Sequence, residues 1–297
     1  MSTYVITGGT GKTGKTLAMK LLESGNKVRV VCRNSDRAEG LKQKGAEVFT
    51  GDNLNENFLN GAFAGADAAY VVLPIDMQAE EYTENQVAHA TAIKNAIENQ
   101  GIKFVVTLSS VGAHLDKGTG VILGLHKMEK LFNEIPNINV RHLRATYFME
   151  NTLTQIPSIK NNGIMTGPEK GDQKFALVAA KDISQAAYTN LQTLDFKGKS
   201  VEYVLGERDL SYNEIAEIYG KAIGISNLKY KQVSEDDFLS RMAQMGVSKS
   251  AAEKFYEFTQ RINQGDVPSY YTRNKENTTP TSIEEFTSVF KNAFDTQ

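Results

Sequence analysis

One segment near the start of the chain, Thr7-Gly8-Gly9-Thr10-Gly11-Lys12-Thr13-Gly14-Lys15-Thr16, constrains the fold more than any other. It follows the apolar run Tyr4-Val5-Ile6 and leads into a stretch with Leu17, Ala18, Leu21 and Leu22 on one helical face. Glycine at this density lets backbone N–H groups and a helix N-terminus come close to a phosphate. The segment satisfies two incompatible patterns. Gly9-x-Gly11-x-x-Gly14 is a dinucleotide fingerprint, whereas Gly9, Gly14, Lys15 and Thr16 match the phosphate loop of nucleotide triphosphatases.

The downstream sequence decides between them. A triphosphatase supplies an apolar strand ending in an acid that helps to hold Mg²⁺. Here the run Ala69 to Leu73 ends in Pro74, and Phe104 to Leu108 ends in Ser109. A dinucleotide fold instead wants a second strand about 20 residues on, whose end meets the adenosine ribose. Val28 to Cys32 meets that demand. At its end stands Arg33 rather than the Asp or Glu that bonds a ribose 2′-hydroxyl, so a 2′-phosphate, and hence NADP(H), is expected, with Lys12 as a second charge. The expected phosphate cradle is Gly8, Thr10, Gly11, Lys12, Thr13 and Gly14.

Short β-branched or apolar runs continue at Glu47 to Phe49, Ala69 to Leu73 and Phe104 to Leu108, with helical stretches at Thr16 to Ser24, Leu54 to Phe63 and Glu80 to Gln100. Such alternation predicts an α/β fold with a doubly wound parallel (Rossmann) sheet and ligands at the carboxyl ends of its strands. Val140 to Arg144 reads as a sixth strand, after which loops and helices dominate. Residues 1–150 are therefore expected to form the NADP(H)-binding domain, and 151–297 a smaller, mostly helical substrate-binding part, interleaved with a strand that returns near 201–205. Ser211 with Glu214, Ser282 with Glu285, and Ser234 with Asp237 resemble helix-opening caps, and Gly163 to Gln173 reads as a long loop.

Composition narrows the setting. A single cysteine, Cys32, allows no internal disulfide, and four histidines with no Cys/His cluster offer no metal site, which suits a cytoplasmic protein. A formal net charge of −2 gives no footprint for direct nucleic-acid binding, and no apolar run approaches the roughly 18 residues of a membrane span.

The chain as a whole resembles the NmrA-like family, atypical members of the short-chain dehydrogenase/reductase superfamily. The resemblance runs from Val5 to about Phe294 and is carried by Gly8-x-x-Gly11-x-x-Gly14, Val30-Val31-Cys32-Arg33-Asn34, Gly45-Ala46-Glu47-Val48 with Gly51-Asp52, Gly65-Ala66-Asp67-Ala68, Ser109-Ser110-Val111-Gly112-Ala113, and Leu143-Arg144 with Tyr147-Phe148-Met149-Glu150-Asn151. It implies Asp52 and Asn53 beside the adenine, Leu73 and Pro74 along the middle of the cofactor, and Ser109 and Ser110 near the nicotinamide. It also implies an apolar wall of Tyr147, Phe148 and Met149.

Ordinary superfamily members carry Tyr-x-x-x-Lys, the tyrosine acting as acid or base. The matching stretch here is Leu123-Gly124-Leu125-His126-Lys127, which keeps the lysine and replaces the tyrosine with a side chain that cannot transfer a proton. Lys127 and Ser110 are then the expected catalytic residues, and His126 or His114 could protonate a reduced product near neutral pH. The resemblance implies an NADPH-dependent reductase of a quinone-like or other conjugated small molecule. Its alternatives are a non-catalytic NADP(H) sensor acting through a protein partner and a nucleotide-sugar epimerase.

Overall fold

The computed structural model describes residues 1–296. Its first half runs β1 (Thr3–Thr7), α1 (Lys12–Glu23), β2 (Lys27–Cys32), α2 (Glu39–Lys42), β3 (Glu47–Thr50), α3 (Glu56–Phe63), β4 (Ala68–Val71), α4 (Tyr82–Asn99), β5 (Phe104–Ser110), α5 (Leu123–Asn133) and β6 (Asn139–Ala145). The second half continues with β7 (Tyr147–Phe148), α6 (Ile156–Asn162), β8 (Ile164–Gly167), β9 (Phe175–Val178), α7 (Ala180–Thr193), β10 (Lys199–Val204), β11 (Asp209–Leu210), α8 (Tyr212–Ile223), β12 (Lys229–Gln232), α9 (Glu235–Gln244), α10 (Lys249–Asn263) and α11 (Ile283–Thr296).

Seven strands form one sheet in the order β10-β6-β5-β4-β1-β2-β3, every pair parallel. The central strands β1 and β4 are largely apolar because both faces of the sheet are covered there. Tyr4, Ile6, Val28, Val30, Tyr70 and Val106 point into a core beneath α1 and α7, while Val5, Val31, Ala69, Val71 and Val105 point into a second core beneath α3, α4 and α5. The returning strand is β10, which pairs with β6 from Lys199↔Val140 to Val204↔Ala145. A third core, including Phe175, Tyr212, Tyr219 and Phe290, belongs to the later helices and small sheets.

Local differences from the sequence expectations have physical causes. Helix α1 opens at Lys12, not Thr16, because Gly14 lies within its first turn, packed on the preceding loop. Helix α3 opens after Asn55, whose side chain accepts the Phe58 N–H. The segment Gly163 to Gln173 is not one loop. Its first part is β8, paired in parallel with the distant β12 from Ile164↔Lys229 to Gly167↔Gln232. The Ser211–Glu214 capping box is complete, and Ser234 caps α9 through Asp237. Ser282 accepts the Glu285 N–H, but the Glu285 carboxylate pairs with Lys181 at 2.6 Å instead of closing a box.

Candidate functional site

The strand order departs in opposite directions from β1, towards β2 on one side and β4 on the other. A crevice opens above such a reversal. Thr7 holds its two sides together: its hydroxyl donates to the Val72 carbonyl at 3.0 Å and accepts the Val72 N–H at 2.8 Å.

The glycine loop lies in this crevice. Gly8 adopts φ +61°, a left-handed conformation that favours glycine, and its carbonyl accepts the Gly11 N–H at 2.8 Å. At Gly14 the need is space, since a Cβ there would stand 2.5 Å from the Gly8 oxygen and 2.8 Å from Gly9 Cα. Helix α1 therefore starts against the loop. No side chain caps it and its first turn holds no acid, so its free N–H groups and positive dipole end favour an anion.

Lys12 Nζ donates to Asn151 Oδ1 at 3.1 Å, and burial pushes its pKa down against the opposing pull of Glu150. The Glu150 carboxylate accepts the Ala180 N–H at 3.0 and 3.1 Å at the start of α7, and burial pushes its own pKa up. Glu150 therefore caps α7, while its neighbour Asn151 steadies the loop lysine. Thr13 turns inward. Its hydroxyl accepts from Tyr70 at 3.2 Å in the core, and its carbonyl accepts from Ser184 of α7 at 3.0 Å.

Arg33 stands exposed just beyond β2, and among the described residues no acid forms an ion pair with it. Asp52 is exposed and closes a turn by accepting the Leu54 N–H at 2.9 Å. Asn53 is only 8% exposed, and its Oδ1 is buried without a hydrogen-bond partner. Leu73 is buried and Pro74 half-buried after β4. His89 of α4, which no sequence motif marks, lies near this end of the crevice. Burial pushes its pKa down, Asp52 and Asp76 oppose that shift, and Arg33 adds to it.

At the other end, alternation along β5 sends Ser109 beneath α5. Its hydroxyl donates to Glu129 Oε1 at 2.5 Å, and Glu129 accepts Arg144 Nε and Nη2 at 3.0 and 2.6 Å. Ser109 thus belongs to a buried network rather than to the crevice. Ser110 is half-buried and donates to the Val111 carbonyl at 3.0 Å. His126 donates from Nδ1 to the Ala113 carbonyl at 2.9 Å, which leaves Nε2 as the nitrogen available for exchange. His114 stacks edge-on against Tyr270 at 5.1 Å, and burial lowers its pKa. Lys127 lies 3.7 Å from Glu84 of α4, both partly exposed. Tyr147 accepts from Tyr212 at 3.2 Å and packs edge-on to Phe175 at 5.5 Å, whereas Phe148 packs into the core beneath α1 and α7. The two aromatic residues do not form one wall. Leu123 occupies the first position of α5, one turn before Lys127.

Residues 1–287 match the model of the NmrA-like family. The chain belongs to that family. The NAD(P)H azoreductase of Xenophilus azovorans is 24% identical over 253 residues, 85% of each chain. The NADPH-dependent quinone oxidoreductase QOR2 of Escherichia coli, solved with NADPH, superposes with a TM-score of 0.80 at 21% identity, covering 96% of this chain and 99% of that one. The Citrobacter sp. triphenylmethane reductase, solved with NADP(H), gives 0.77 at 19% identity, covering 97% and 99%. These relatives are NAD(P)H-dependent oxidoreductases, and the solved structures share the fold found here. Among the described residues no helix is long and apolar enough to cross a membrane, and no group of three or more His, Cys, Asp or Glu side chains is placed to hold a metal ion.

Proposed function

We propose that this protein is an NADPH-dependent reductase that passes hydride to a quinone-like or other conjugated small molecule. The observation that carries the reading is the uncapped, acid-free start of α1 against a loop kept open by glycine, with the unpaired Arg33 beyond the neighbouring strand. Those features suit a pyrophosphate and a 2′-phosphate respectively. Asp52, Asn53, Leu73 and Pro74 follow the same strand ends and are assigned to the adenosine and the middle of the cofactor. Lys127 is assigned to the nicotinamide ribose, which requires only that its loose pairing with Glu84 give way. NADPH held in this way supplies a hydride.

The chain's own groups explain which acceptors suit it. Leu123 has no proton to give, and the hydroxyls of Ser109 and Ser110 are already donating within the protein. An isolated ketone leaves an alkoxide that needs a positioned acid, a contribution of about 10²–10⁴ in rate. A quinone or azo acceptor spreads the incoming charge, so binding and orientation carry more of the rate. Tyr147 and Tyr270, half-buried beside the strand ends, offer flat apolar contact to such a molecule, and His126, with Nδ1–H held by the Ala113 carbonyl, is assigned to give its product a proton from Nε2 when both ring nitrogens carry one.

The test is loss of NADPH absorbance with purified protein and a panel of quinones, azo dyes and simple ketones. Turnover of the first two classes with poor turnover of ketones is expected. Lys127→Ala should weaken NADPH binding and turnover together. Saturable NADPH binding with no turnover of any acceptor would remove the reductase and leave a dinucleotide-sensing regulator.

A further inference from the structure

Four aromatic side chains from four elements of the second part pack into one cluster: Tyr147 of β7, Phe175 of β9, Tyr212 of α8 and Tyr230 of β12. Phe175 meets Tyr147 edge-on at 5.5 Å and Tyr212 at 5.4 Å, and Tyr212 stacks on Tyr230 at 4.6 Å with the rings 13° apart. The hydroxyls of this cluster have definite directions. Tyr230 donates to the Glu169 carbonyl at 2.9 Å, and Gly167 leaves room for that contact, since a Cβ there would stand 2.6 Å from Tyr230 Oη. Tyr212 donates to Tyr147 Oη at 3.2 Å. The Tyr147 oxygen is therefore an acceptor within the protein, and among the described residues its own proton has no partner.

The location supplies a partner. Strand β6 ends at Ala145, opposite Ser110 at the end of β5, and Tyr147 follows two residues later, just past the strand ends where such sheets bind ligands. Tyr212 is 2% and Tyr230 9% exposed, whereas Tyr147 is only half-buried. Burial and the nearby Glu169 charge push the Tyr147 pKa up, so the hydroxyl keeps its proton at neutral pH and serves as a donor. When a quinone takes the hydride and its electron pair from NADPH, which becomes NADP⁺, negative charge gathers on a quinone oxygen until a proton arrives from His126. A donor already held in place stabilises that charge without having to reorganise. A cationic triarylmethane dye instead takes hydride on its central carbon and loses its positive charge, so it builds no anion for a hydroxyl to meet. We propose that the Tyr147 hydroxyl donates a hydrogen bond to the acceptor, favouring quinones and other acceptors that gather charge on a lone-pair atom, with Tyr212 acting through it as a positioning residue. This rests on the reductase reading above.

Steady-state kinetics at saturating NADPH with a benzoquinone and with a cationic triarylmethane dye test the inference, the readout being the ratio of the two kcat/KM values. Tyr147→Phe keeps the ring and removes the donor, and should lower the quinone-to-dye ratio about ten- to a hundredfold, the range for a hydrogen bond to a charged group. Tyr212→Phe releases the Tyr147 hydroxyl from its anchor and should lower the same ratio by a smaller factor, mainly through kcat. A purely structural role for the cluster would lower both activities alike. A ratio unchanged in Tyr147→Phe overturns the inference and leaves the reductase in place, as does dye turnover without quinone turnover in the unmodified protein. If Tyr147→Phe fails to fold, seen as lost NADPH binding, Tyr212→Phe decides, and a ratio unchanged there overturns the inference. Turnover of neither acceptor by the unmodified protein overturns it together with the proposed function.

Discussion

The ion pair beneath α5 gives the sharpest stability test. The Glu129 and Arg144 side chains are 6% and 11% exposed, and the carboxylate accepts two bonds from the guanidinium and one from Ser109. Glu129→Gln preserves the shape and removes the charge, stranding Arg144 without a counter-ion. Breaking a buried pair in this way costs about 3–5 kcal/mol, because the surviving charge has lost its compensation and cannot regain water. Against the roughly 5–15 kcal/mol that stabilises a typical fold, this is a large loss. At roughly 2–4 °C per kcal/mol it corresponds to a fall of about 6–20 °C in the unfolding midpoint. Arg144→Met should cost a similar amount. The double variant Glu129→Leu/Arg144→Met should be more stable than either single, since an apolar pair of similar volume leaves no charge to desolvate. Urea unfolding of all three variants measures the effect. Single losses below about 1 kcal/mol would refute the reasoning, because they would place the pair with the weakly contributing exposed ion pairs.

Other predictions follow from the same packing. His142 accepts from Thr107 at Nδ1, donates from Nε2 to Asn133, and has its pKa pushed down to about 4 by burial. The unfolded chain therefore takes up this proton first, and stability should fall as pH drops from about 6.5 towards 4, by up to about 3 kcal/mol. Unfolding free energies measured across that window should show this loss in the unmodified protein and a flatter dependence in His142→Leu; identical slopes would contradict the assignment. Gly14→Ala places a methyl against the backbone oxygen of Gly8, so it should destabilise the fold by about 1–3 kcal/mol and weaken dinucleotide binding, as measured by thermal unfolding and calorimetry. Arg33→Ala should remove an NADPH-over-NADH preference of about 1.5–3 kcal/mol, roughly ten- to a hundredfold in affinity; equal affinities in the unmodified protein would sink the 2′-phosphate assignment.

The main strands are legible in the sequence because burial on both faces makes each a short apolar run, and the helices between them because α4 and α1 each show one apolar stripe. Strand β8 is hidden: Ile164 to Gly167 sits among glycines and Pro168, and its partner β12 lies far along the chain, so only tertiary pairing makes it a strand. At the site, the glycine loop and Arg33 are readable from spacing. The direction of Ser109 is harder to read, although β alternation contains it, because Val105 and Thr107 share its face and only the packing places that face against α5. His89 is invisible for a different reason. A histidine in the buried stripe of a helix looks like packing until its neighbours are seen to leave its Nδ1 unpaired.

The sheet-facing side of α5 is unusual in being held by two polar layers, Thr107 with His142 and Asn133, then Ser109 with Arg144 and Glu129, one helical turn apart. Apolar packing tolerates small slides, whereas hydrogen bonds from fixed strands to positions 133 and 129 define a single register and rotation for the helix. The next turn carries His126 and Lys127, and the one before it begins with Leu123. The helix is thus fixed over the strand ends, while its first position holds leucine, which cannot transfer a proton. A precisely held helix serves little purpose if the crevice only accommodates a dinucleotide loosely. It does serve a reductase whose rate depends on the angle and distance of hydride delivery, where orientation contributes through geometry and the acceptor itself stabilises the charge it receives. On this argument, disturbing Glu129 should lower turnover of a conjugated acceptor more than it lowers NADPH affinity, because orientation fails before binding does.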